Sequence, residues 1–535
     1  MKKLVVIGGG INGAGIARDA ALRGWKVTLL EKNDFCSGTS WASSKLIHGG
    51  LRYLEHWEFG LVRESLRERE ILLRIHPYNI QPLHILLSVY RYSPHWLTTL
   101  RFGMKLYEFL STNSSLPLHE TFTPKQLNAI EPGLDQRKLQ GGIAYWDAQC
   151  PYPERLVLAN LHSAEENGAN IFNYHQVIRL TKKDDRIQSV IAKDLIHGQE
   201  KEFQCDFVIN AAGPWIDEMV NPNEIPSRPM IGGTRGSHIV VPRFADGPRH
   251  AIYSNARLDG RPFFILPWLN YYLIGTTDVR HQDSLDELSP SFSEIDYLIT
   301  ETNHCFPAAE INRHSILFSF SGVRPLPYSG KKNPGAITRR HIIMDHAKKD
   351  GIANLISLVG GKLTTFRHAA KLCVDSAENK TAGHVTACST AGNPLWGGEM
   401  EHFESFVTYT FSEAHRRWSI DEITFRYLVT LYGTHFKDVL EVADLHPGGF
   451  EKICSHGIDL KAQVIYAVKH EWAKTLTDVM FRRMPVGMNT SLGMDACEII
   501  GDIMGGEWGW NEKKKRNEID GYKNYVTRRL LSHQN

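Results

Sequence analysis

A glycine pattern near the start of the sequence strongly restricts how the chain can fold. The segment "KKLVVIGGGINGAGIARDAALRGWKVTLLEKN" places Gly8, Gly10 and Gly13 as GxGxxG between a β-branched run and a helical run. The first glycine permits a tight turn, the second lets backbone approach a pyrophosphate, and the third lets helix and strand pack closely. A second strand ends in Glu31, at the spacing of an acidic residue that binds a ribose hydroxyl. The pattern predicts a parallel βαβ unit that binds a dinucleotide.

The acidic residue narrows the choice of dinucleotide. Glu31 would repel the additional phosphate of NADP, so FAD and NAD remain. No second GxGxxG follows that would serve a separate nicotinamide domain. We therefore predict FAD as the only dinucleotide cofactor.

Composition excludes several other classes of protein. With 535 residues, of which 42% are apolar and 22% charged, the chain is expected to form two or three folded cores. A net charge of +2 argues against a nucleic-acid partner, since neutralising many phosphates requires an excess of Lys and Arg. The 8 cysteines form no CxxC pair, which indicates reduced structural thiols and no metal site. No segment reaches the roughly 20 apolar residues of a transmembrane helix.

A series of further blocks carries a resemblance to a known family. In order, they are "VVIGGGINGAGIARDAALRG", "SSKLIHGGLRYLE", "INAAGPWID", "GSHIVVP", "LIGTTD", "SGVRPL", "AITR" and "GGKLTTFR". Together the blocks resemble the FAD-dependent glycerol-3-phosphate dehydrogenases that deliver electrons to respiratory quinone. The C-terminal third is similar more loosely, in segments such as "HEWAKTLTDVMFRR". The resemblance implies oxidation of sn-glycerol 3-phosphate to dihydroxyacetone phosphate, with FAD as cofactor and quinone as electron acceptor.

A phosphorylated alcohol needs cationic groups for its phosphate. Arg52 and Arg324 are the candidates, because a guanidinium group offers paired donors to phosphate oxygens and both lie in turn-rich blocks. Tyr53 and Thr276 are candidates for hydrogen bonds to the other substrate oxygens, although each could equally be satisfied within the fold. We predict that these four residues bind the substrate.

Alcohol oxidation also needs a base for the hydroxyl proton. His48 is one candidate, because an imidazole titrates near neutral pH. Lys362 is the other, since an amine desolvated beside a flavin either accepts the proton or stays charged and stabilises the reduced flavin. The sequence leaves this choice open.

Two further turns are predicted to contact the flavin. "CDFVINAAGPW" is an apolar strand that ends at Ala212 and Gly213, and "ISLVGGKLTTFRHAAK" runs through glycines into a helix that begins near Leu363. The predicted cofactor-binding residues are Gly8, Gly10, Asn12, Gly13, Glu31, Ser44, Leu46, Ala212, Gly213, Gly361, Lys362, Leu363 and Thr364.

The predicted fold class is α/β, with an FAD-binding Rossmann-like domain interleaved with an antiparallel-sheet substrate domain and followed by a helical domain. We expect the oxidoreductase part at 1–388 and the helical domain at 389–535. Within the first, the FAD part is expected at about 1–80, 145–225 and 335–388. The substrate part fills about 81–144 and 226–334.

Residues 93–110, "SPHWLTTLRFGMKLYEFL", mix aromatic and basic side chains, as helices that lie on a membrane do. A helix packed on the protein would look much the same, and the C-terminal helices are a second candidate for membrane contact. With the family resemblance, this segment predicts a peripheral protein on the lipid surface at the cytoplasmic face of the inner membrane. The subunit count stays open, with a homodimer as one candidate.

Three other functions remain open at this point. A glycerol-3-phosphate oxidase would pass the same electrons to oxygen, and an amine or amino-acid oxidase of the same fold would bind a carboxylate in place of a phosphate. A non-enzymatic flavin-bound subunit would show no bleaching of its flavin with any alcohol.

Overall fold

The computed structural model describes residues 1–111, 114–220, 229–329, 337–455 and 457–532. The predicted boundaries at residues 225/226 and 334/335, and Ala336 of the "AITR" block, lie outside the described residues. Within those residues the strands are β1 (Lys3–Ile7), β2 (Lys26–Leu30), β3 (Leu46–Ile47), β4 (Gln81–Tyr90), β5 (Glu120–Phe122), β6 (Leu139–Gln149), β7 (Asn170–Phe172), β8 (His175–Lys183), β9 (Arg186–Asp194), β10 (Glu200–Gln204), β11 (Phe207–Asn210), β12 (Thr234–Pro242), β13 (Ala251–Asn255), β14 (Pro262–Trp268), β15 (Tyr271–Gly275), β16 (Val279–Arg280), β17 (Phe318–Arg324), β18 (Ile342–Asp345) and β19 (Leu355–Val359).

The α-helices of the same residues follow in chain order. They are α1 (Ile11–Leu22), α2 (Phe59–Ile75), α3 (Leu97–Leu110), α4 (Pro124–Ile130), α5 (Pro153–Glu166), α6 (Ile216–Val220), α7 (Phe292–Cys305), α8 (His346–Lys349), α9 (Phe366–Ala382), α10 (Phe403–Trp418), α11 (Glu422–Tyr432), α12 (Phe436–Leu445), α13 (Lys461–His470), α14 (Leu476–Asp478), α15 (Cys497–Trp508) and α16 (Glu512–Tyr525).

The first sheet is built around the predicted βαβ unit. Its strand order is β18-β19-β11-β1-β2-β7, and every neighbouring pair is parallel except β18 with β19. Residues 4–7 of β1 are buried on both faces, as a β-branched run in a parallel sheet should be. Helix α1 connects β1 to β2 and packs against α5 and α9. Three distant segments of the chain therefore meet at the carboxyl ends of β1, β11 and β19.

The second sheet supplies the other wall of the site. Its main strand order is β16-β12-β15-β14-β13-β4-β6-β3, with β17 paired to β12 and β5 to β6. All pairs are antiparallel except β13 with β4. Because its strands come from chain segments on both sides of β7–β11, the two sheets are interleaved in sequence. This arrangement agrees with the predicted fold class.

Helices α10 to α16 form the C-terminal part, and buried ion pairs join it to the rest. Asp34 accepts hydrogen bonds from Arg483 Nη1 and Nη2 at 2.8 Å each, and Arg155 Nη1 lies 2.7 Å from Glu471 Oε1. Removing one partner of such a pair would leave a buried charge unpaired, which is strongly destabilising. The domain bounds given above stay a prediction.

Candidate functional site

The GxGxxG turn leaves no room for a side chain at its first and last glycines. Gly8 has φ +108°, and a Cβ there would lie 2.6 Å from the Ala211 carbonyl oxygen. A Cβ on Gly13 would lie 1.8 Å from the Gly8 carbonyl oxygen. Helix α1 begins directly after Gly10, so its free N–H groups and partial positive charge face the space beyond the turn. This end of the site is suited to a pyrophosphate.

Glu31 stands at the end of β2 and is held by backbone. Its Oε2 accepts a hydrogen bond from the Gly9 N–H at 2.6 Å, and its Oε1 accepts one from the Asn33 N–H at 2.8 Å. Burial raises the pKa of Glu31 in spite of these hydrogen bonds. The carboxylate is thereby fixed against the turn, with lone pairs left for a ligand hydroxyl.

The two later turns face the same space. Gly213 has φ +59° and Gly361 has φ +95°, conformations that favour glycine. The predicted helix near Leu363 begins as a 3₁₀ turn, Leu363–Thr365, which continues into α9. Beside Gly361, the buried Asn12 Oδ1 has no hydrogen-bond partner among the described residues. A bare backbone cradle with an unpartnered buried oxygen fits a flavin dinucleotide.

One cavity of about 850 Å³ joins these turns to the second sheet. Gly13 does not line it, because this glycine packs against Gly8 inside the turn. The predicted site residues that line the cavity are Gly8, Gly10, Asn12, Glu31, Ser44, Leu46, His48, Arg52, Tyr53, Ala212, Gly213, Thr276, Arg324, Gly361, Lys362, Leu363 and Thr364.

Arg324 is the last residue of β17. With Arg339 and their shared partner Asp278 it forms the basic wall of the cavity. Its Nη2 donates to Thr276 Oγ1 at 2.9 Å and to the Thr277 carbonyl oxygen at 3.1 Å, while its Nη1 lies 3.1 Å from Asp278 Oδ1. A Cβ on Gly236 would come within 2.2 Å of Nη2, so this glycine makes room for the guanidinium. Burial lowers the pKa of Arg324 to about 10, which leaves the group charged at neutral pH.

Arg339 extends this wall, and the motifs alone did not single it out. Its Nη2 lies 3.1 Å from Asp278 Oδ2, so one carboxylate holds two guanidinium groups. Although burial opposes the effect, Arg324 and Arg339 hold the pKa of Asp278 below its usual value. Arg339 Nη1 is buried and has no acceptor within the described part of the chain. Arg52 and Arg261 also line the cavity.

Lys362 lies on another part of the cavity lining. Its Nζ donates to Ser65 Oγ at 2.5 Å and stands 4.5 Å from the centre of the Tyr53 ring. Burial lowers the pKa of Lys362 to about 7. A substantial fraction of the amine is therefore neutral at physiological pH and able to accept a proton.

His48, the other candidate base, lines the same cavity. Its backbone N–H donates to Thr364 Oγ1 at 3.1 Å, which joins β3 to the turn before α9. Burial, with a smaller contribution from Lys362, lowers the pKa of His48 to about 4. The ring is neutral at pH 7, but it is a much weaker base than Lys362.

His238 also lines the cavity, and the sequence motifs alone do not indicate its role. Its Nε2 lies 2.9 Å from Ser44 Oγ, and its ring stacks on Phe320 with centroids 5.0 Å apart. The signal was present, because "GSHIVVP", "LIGTTD" and "AITR" contain His238, Asp278 and Arg339. Each of these residues depends on partners from distant segments, which the motifs alone do not identify.

Comparisons with known proteins agree with this geometry. Residues 3–375 match the family described as FAD dependent oxidoreductase, and residues 388–515 match the C-terminal domain of alpha-glycerophosphate oxidase. A glycerol-3-phosphate dehydrogenase of Synechocystis sp. is 42% identical, over 99% of this chain and 97% of that protein. A D-erythritol 1-phosphate dehydrogenase of Brucella abortus is 38% identical, over 90% of this chain and 93% of that protein.

A solved structure is similar over nearly the whole chain. The glycerol-3-phosphate dehydrogenase of Bacillus halodurans, complexed with FAD, superimposes with a TM-score of 0.82 at 27% identity. The match covers 99% of this chain and 95% of that one. The resemblance and the fold class expected from the sequence are confirmed, and so is FAD as cofactor. The chain belongs to the family of FAD-dependent oxidoreductases that includes the glycerol-3-phosphate dehydrogenases.

Proposed function

We propose that this chain oxidises sn-glycerol 3-phosphate to dihydroxyacetone phosphate and passes the electrons to a membrane quinone. One observation carries the proposal: the cavity that contains the dinucleotide turns is also lined by Arg52, Arg324 and Arg339. Two of these guanidinium groups, those of Arg324 and Arg339, share the single carboxylate of Asp278, so one positive charge of this group is left without a counter-charge. A doubly charged phosphate ester supplies the missing negative charge.

The basic wall would bind and orient the phosphate. Arg339 Nη1 is a buried donor without an acceptor among the described residues, and a phosphate oxygen would satisfy it. Arg324 is fixed by Thr276 and Asp278, so little side-chain entropy is lost when it binds the substrate. Holding the phosphate at one wall places the neighbouring carbinol carbon toward the flavin turns.

FAD, when bound, supplies a two-electron acceptor for the hydride of the carbinol carbon. The protein's part is to remove the hydroxyl proton. We assign this role to Lys362, because its pKa of about 7 matches the operating pH, whereas the pKa of about 4 at His48 does not. The contact of His48 with the turn at Thr364 is made by its backbone N–H and does not involve the imidazole.

The direct test is an anaerobic titration of the FAD-loaded protein. Glycerol 3-phosphate should bleach the flavin absorbance with one equivalent of substrate per flavin, and dihydroxyacetone phosphate should appear in the same amount. D-erythritol 1-phosphate, glycerol and glycine serve as comparison substrates. Bleaching by glycine but not by glycerol 3-phosphate would point to an amino-acid oxidase, and no bleaching with any of them would refute an enzymatic role.

The acceptor proposal rests on an exposed apolar surface beside the cavity, formed by Trp57, Trp96, Phe102 and Phe109. These side chains are 72% to 80% exposed. Trp57 also lines the cavity, so the surface reaches the opening of the site. Exposed aromatic clusters of this kind mark sites of membrane or protein contact.

The basic residues of α3 favour a lipid surface, rather than a protein, as the partner of this aromatic surface. Arg101 and Lys105 are exposed, and around the helix Lys105 lies within about 60° and Arg101 within about 100° of Phe102 and Phe109, so cations adjoin the apolar side chains. Met104 and Tyr107 on the other side are buried, which fixes the helix to the protein. In the described part of the chain, no helix has the length and apolar character required to cross a bilayer. We propose peripheral binding at the cytoplasmic face of the inner membrane.

Lipid vesicles with anionic headgroups test the surface. The double variant Phe102→Asp, Phe109→Asp should bind vesicles at least about 10-fold more weakly, because two apolar side chains no longer enter the lipid. Tyr409→Asp is the matched control, since Tyr409 is an equally exposed aromatic residue on α10. Equal binding of all three proteins would exclude α3 as the membrane contact.

The acceptor is tested with the substrate-reduced protein. Mixing it with a soluble quinone analogue should reoxidise the flavin faster than mixing it with oxygen. Faster reoxidation by oxygen, with one peroxide formed per flavin, would make the chain a glycerol-3-phosphate oxidase. A homodimer stays a prediction.

A further inference from the structure

A cluster of three potential metal ligands lies outside the cavity. Glu64 is on α2, His341 directly precedes β18 and His368 is on α9. None of the three residues lines the described walls of the cavity. The side chain of His341 is buried, that of Glu64 is 12% exposed, and that of His368 is about one-third exposed. Three elements that are distant in sequence therefore bring one carboxylate and two imidazoles together.

The atoms of this cluster have no partners among the described residues except one another. Glu64 Oε1, His341 Nδ1 and His368 Nδ1 are each buried without a hydrogen bond among the described residues. The three atoms nevertheless converge, because His341 Nδ1 is 3.6 Å and His368 Nδ1 is 3.3 Å from Glu64 Oε1. Buried polar atoms normally make a hydrogen bond, so three atoms that meet only one another, without one, indicate a ligand.

The spacing matches that of a metal site. Nitrogen and oxygen ligands lie 2.0–2.2 Å from Zn²⁺, and at tetrahedral angles two such ligands are separated by about 3.3 to 3.6 Å. The two distances to Glu64 lie within this range, and the three atoms are all within 4.8 Å of one another. A small approach of the two imidazoles would complete the triangle.

We propose that Glu64, His341 and His368 bind one divalent first-row transition-metal ion of the zinc class, with a water molecule as the fourth ligand. Two imidazoles and one carboxylate are a donor set for such ions, whereas Mg²⁺ and Ca²⁺ prefer oxygen ligands alone. The ion ties α2 and α9 to the segment that carries Arg339, two residues before His341. Its role is to fix that segment beside the substrate wall.

Co²⁺ is a suitable probe, because tetrahedral Co²⁺ absorbs at longer wavelengths than oxidised flavin. The full chain, with FAD bound and pretreated with a chelator, should bind one equivalent of Co²⁺ and develop this absorption. Zn²⁺ should abolish it by displacement. His368→Ala should weaken Co²⁺ binding by at least about 100-fold, since loss of an outer-shell partner alone costs 10- to 100-fold.

Glu64→Gln is the second variant, because it keeps the size of the side chain while removing the anionic ligand. His402→Ala is the matched control, since His402 is an exposed histidine outside the cluster. Retained FAD absorbance shows in each case that the variant is folded. Absence of the Co²⁺ absorption in the unmodified chain, or binding that is equal in the folded cluster variants and the control, would overturn the proposal. Loss confined to the cluster variants would support it.

Discussion

The two ends of the cavity recognise their ligands by different means. At the end formed by β1, β2 and α1, backbone N–H groups and missing side chains shape the surface, and the positions of Gly8 and Gly13 tolerate no Cβ. At the other end, charged side chains from β17 and from residues 278 and 339 are held together by ion pairs. Backbone recognition depends on steric fit, whereas the basic wall depends on charge. Substitutions should therefore fail in different ways at the two ends.

The largest effect is expected from Gly13→Ala. A Cβ would lie 1.8 Å from the Gly8 carbonyl oxygen, so the turn must open and the cradle is lost. The purified variant should contain essentially no FAD, as measured by flavin absorbance per chain. Gly60→Ala is the control, because Gly60 lies in α2 with no atom within 4 Å of a Cβ, and alanine there should add about 0.5–1 kcal/mol of stability. Normal flavin content in Gly13→Ala would show that FAD binding at this end of the cavity does not depend on steric fit.

Lys362→Met is expected to have the next largest effect. Loss of the proposed base should slow flavin reduction by about 10²- to 10⁴-fold, with FAD still bound. In the unmodified protein the neutral amine is the active form, so the rate should rise with pH through a pKa of about 7 and level off above it. Stopped-flow flavin bleaching measures both quantities. A rate that rises instead near pH 4, with a slow His48→Gln variant, would transfer the role to His48.

Most of the cradle could be predicted from the sequence, because its turns depend on local interactions. The turn at Gly8 to Gly13, the strand before Ala212 and the turn at Gly361 each depend on residues close in the chain, and each carries its own signal. The interleaving of two sheets was also predicted, because alternating strands and βαβ segments occur in separate blocks. The pairing of β13 with β4 was not, since a parallel contact between distant strands depends on the register of the whole sheet.

The basic wall was predicted less completely for the same reason. Arg324 lies in an apolar, turn-rich stretch of sequence that indicates its role. Arg339 is recognised by its hydrogen bond to Asp278, which is 61 residues away in the chain. His238 is likewise defined by Ser44 and Phe320. Glu64, His341 and His368 follow no metal-binding motif, since they come from three separate elements. Side chains that converge only after folding leave no periodic signal in the sequence.

Arg324→Met tests whether the positive charge of the basic wall binds the substrate phosphate. The variant loses charge-assisted hydrogen bonds that contribute about 1.5–3 kcal/mol each, so KM for glycerol 3-phosphate should rise about 10- to 100-fold. FAD content should not change. Arg324→Lys keeps the positive charge without the paired donors. Its KM should therefore lie between those of the unmodified protein and Arg324→Met. Arg243→Met, at an exposed arginine that does not line the cavity, should have no effect. An unchanged KM in Arg324→Met would remove phosphate binding from this residue.

Glu31→Gln should have the smallest effect, and it sharpens the comparison because Glu31 is an acidic side chain fixed against the backbone cradle. The amide oxygen can still accept a hydrogen bond from the Gly9 or Asn33 N–H, but the negative charge is lost. Since burial already raises the pKa of Glu31, the charged form is less favourable there than in water. FAD should therefore bind only about 10-fold more weakly, equivalent to about 1.4 kcal/mol. Fluorescence titration of the FAD-free protein measures this change. A loss as large as that of Gly13→Ala would mean that charge, and not steric fit, governs the cradle as well as the basic wall.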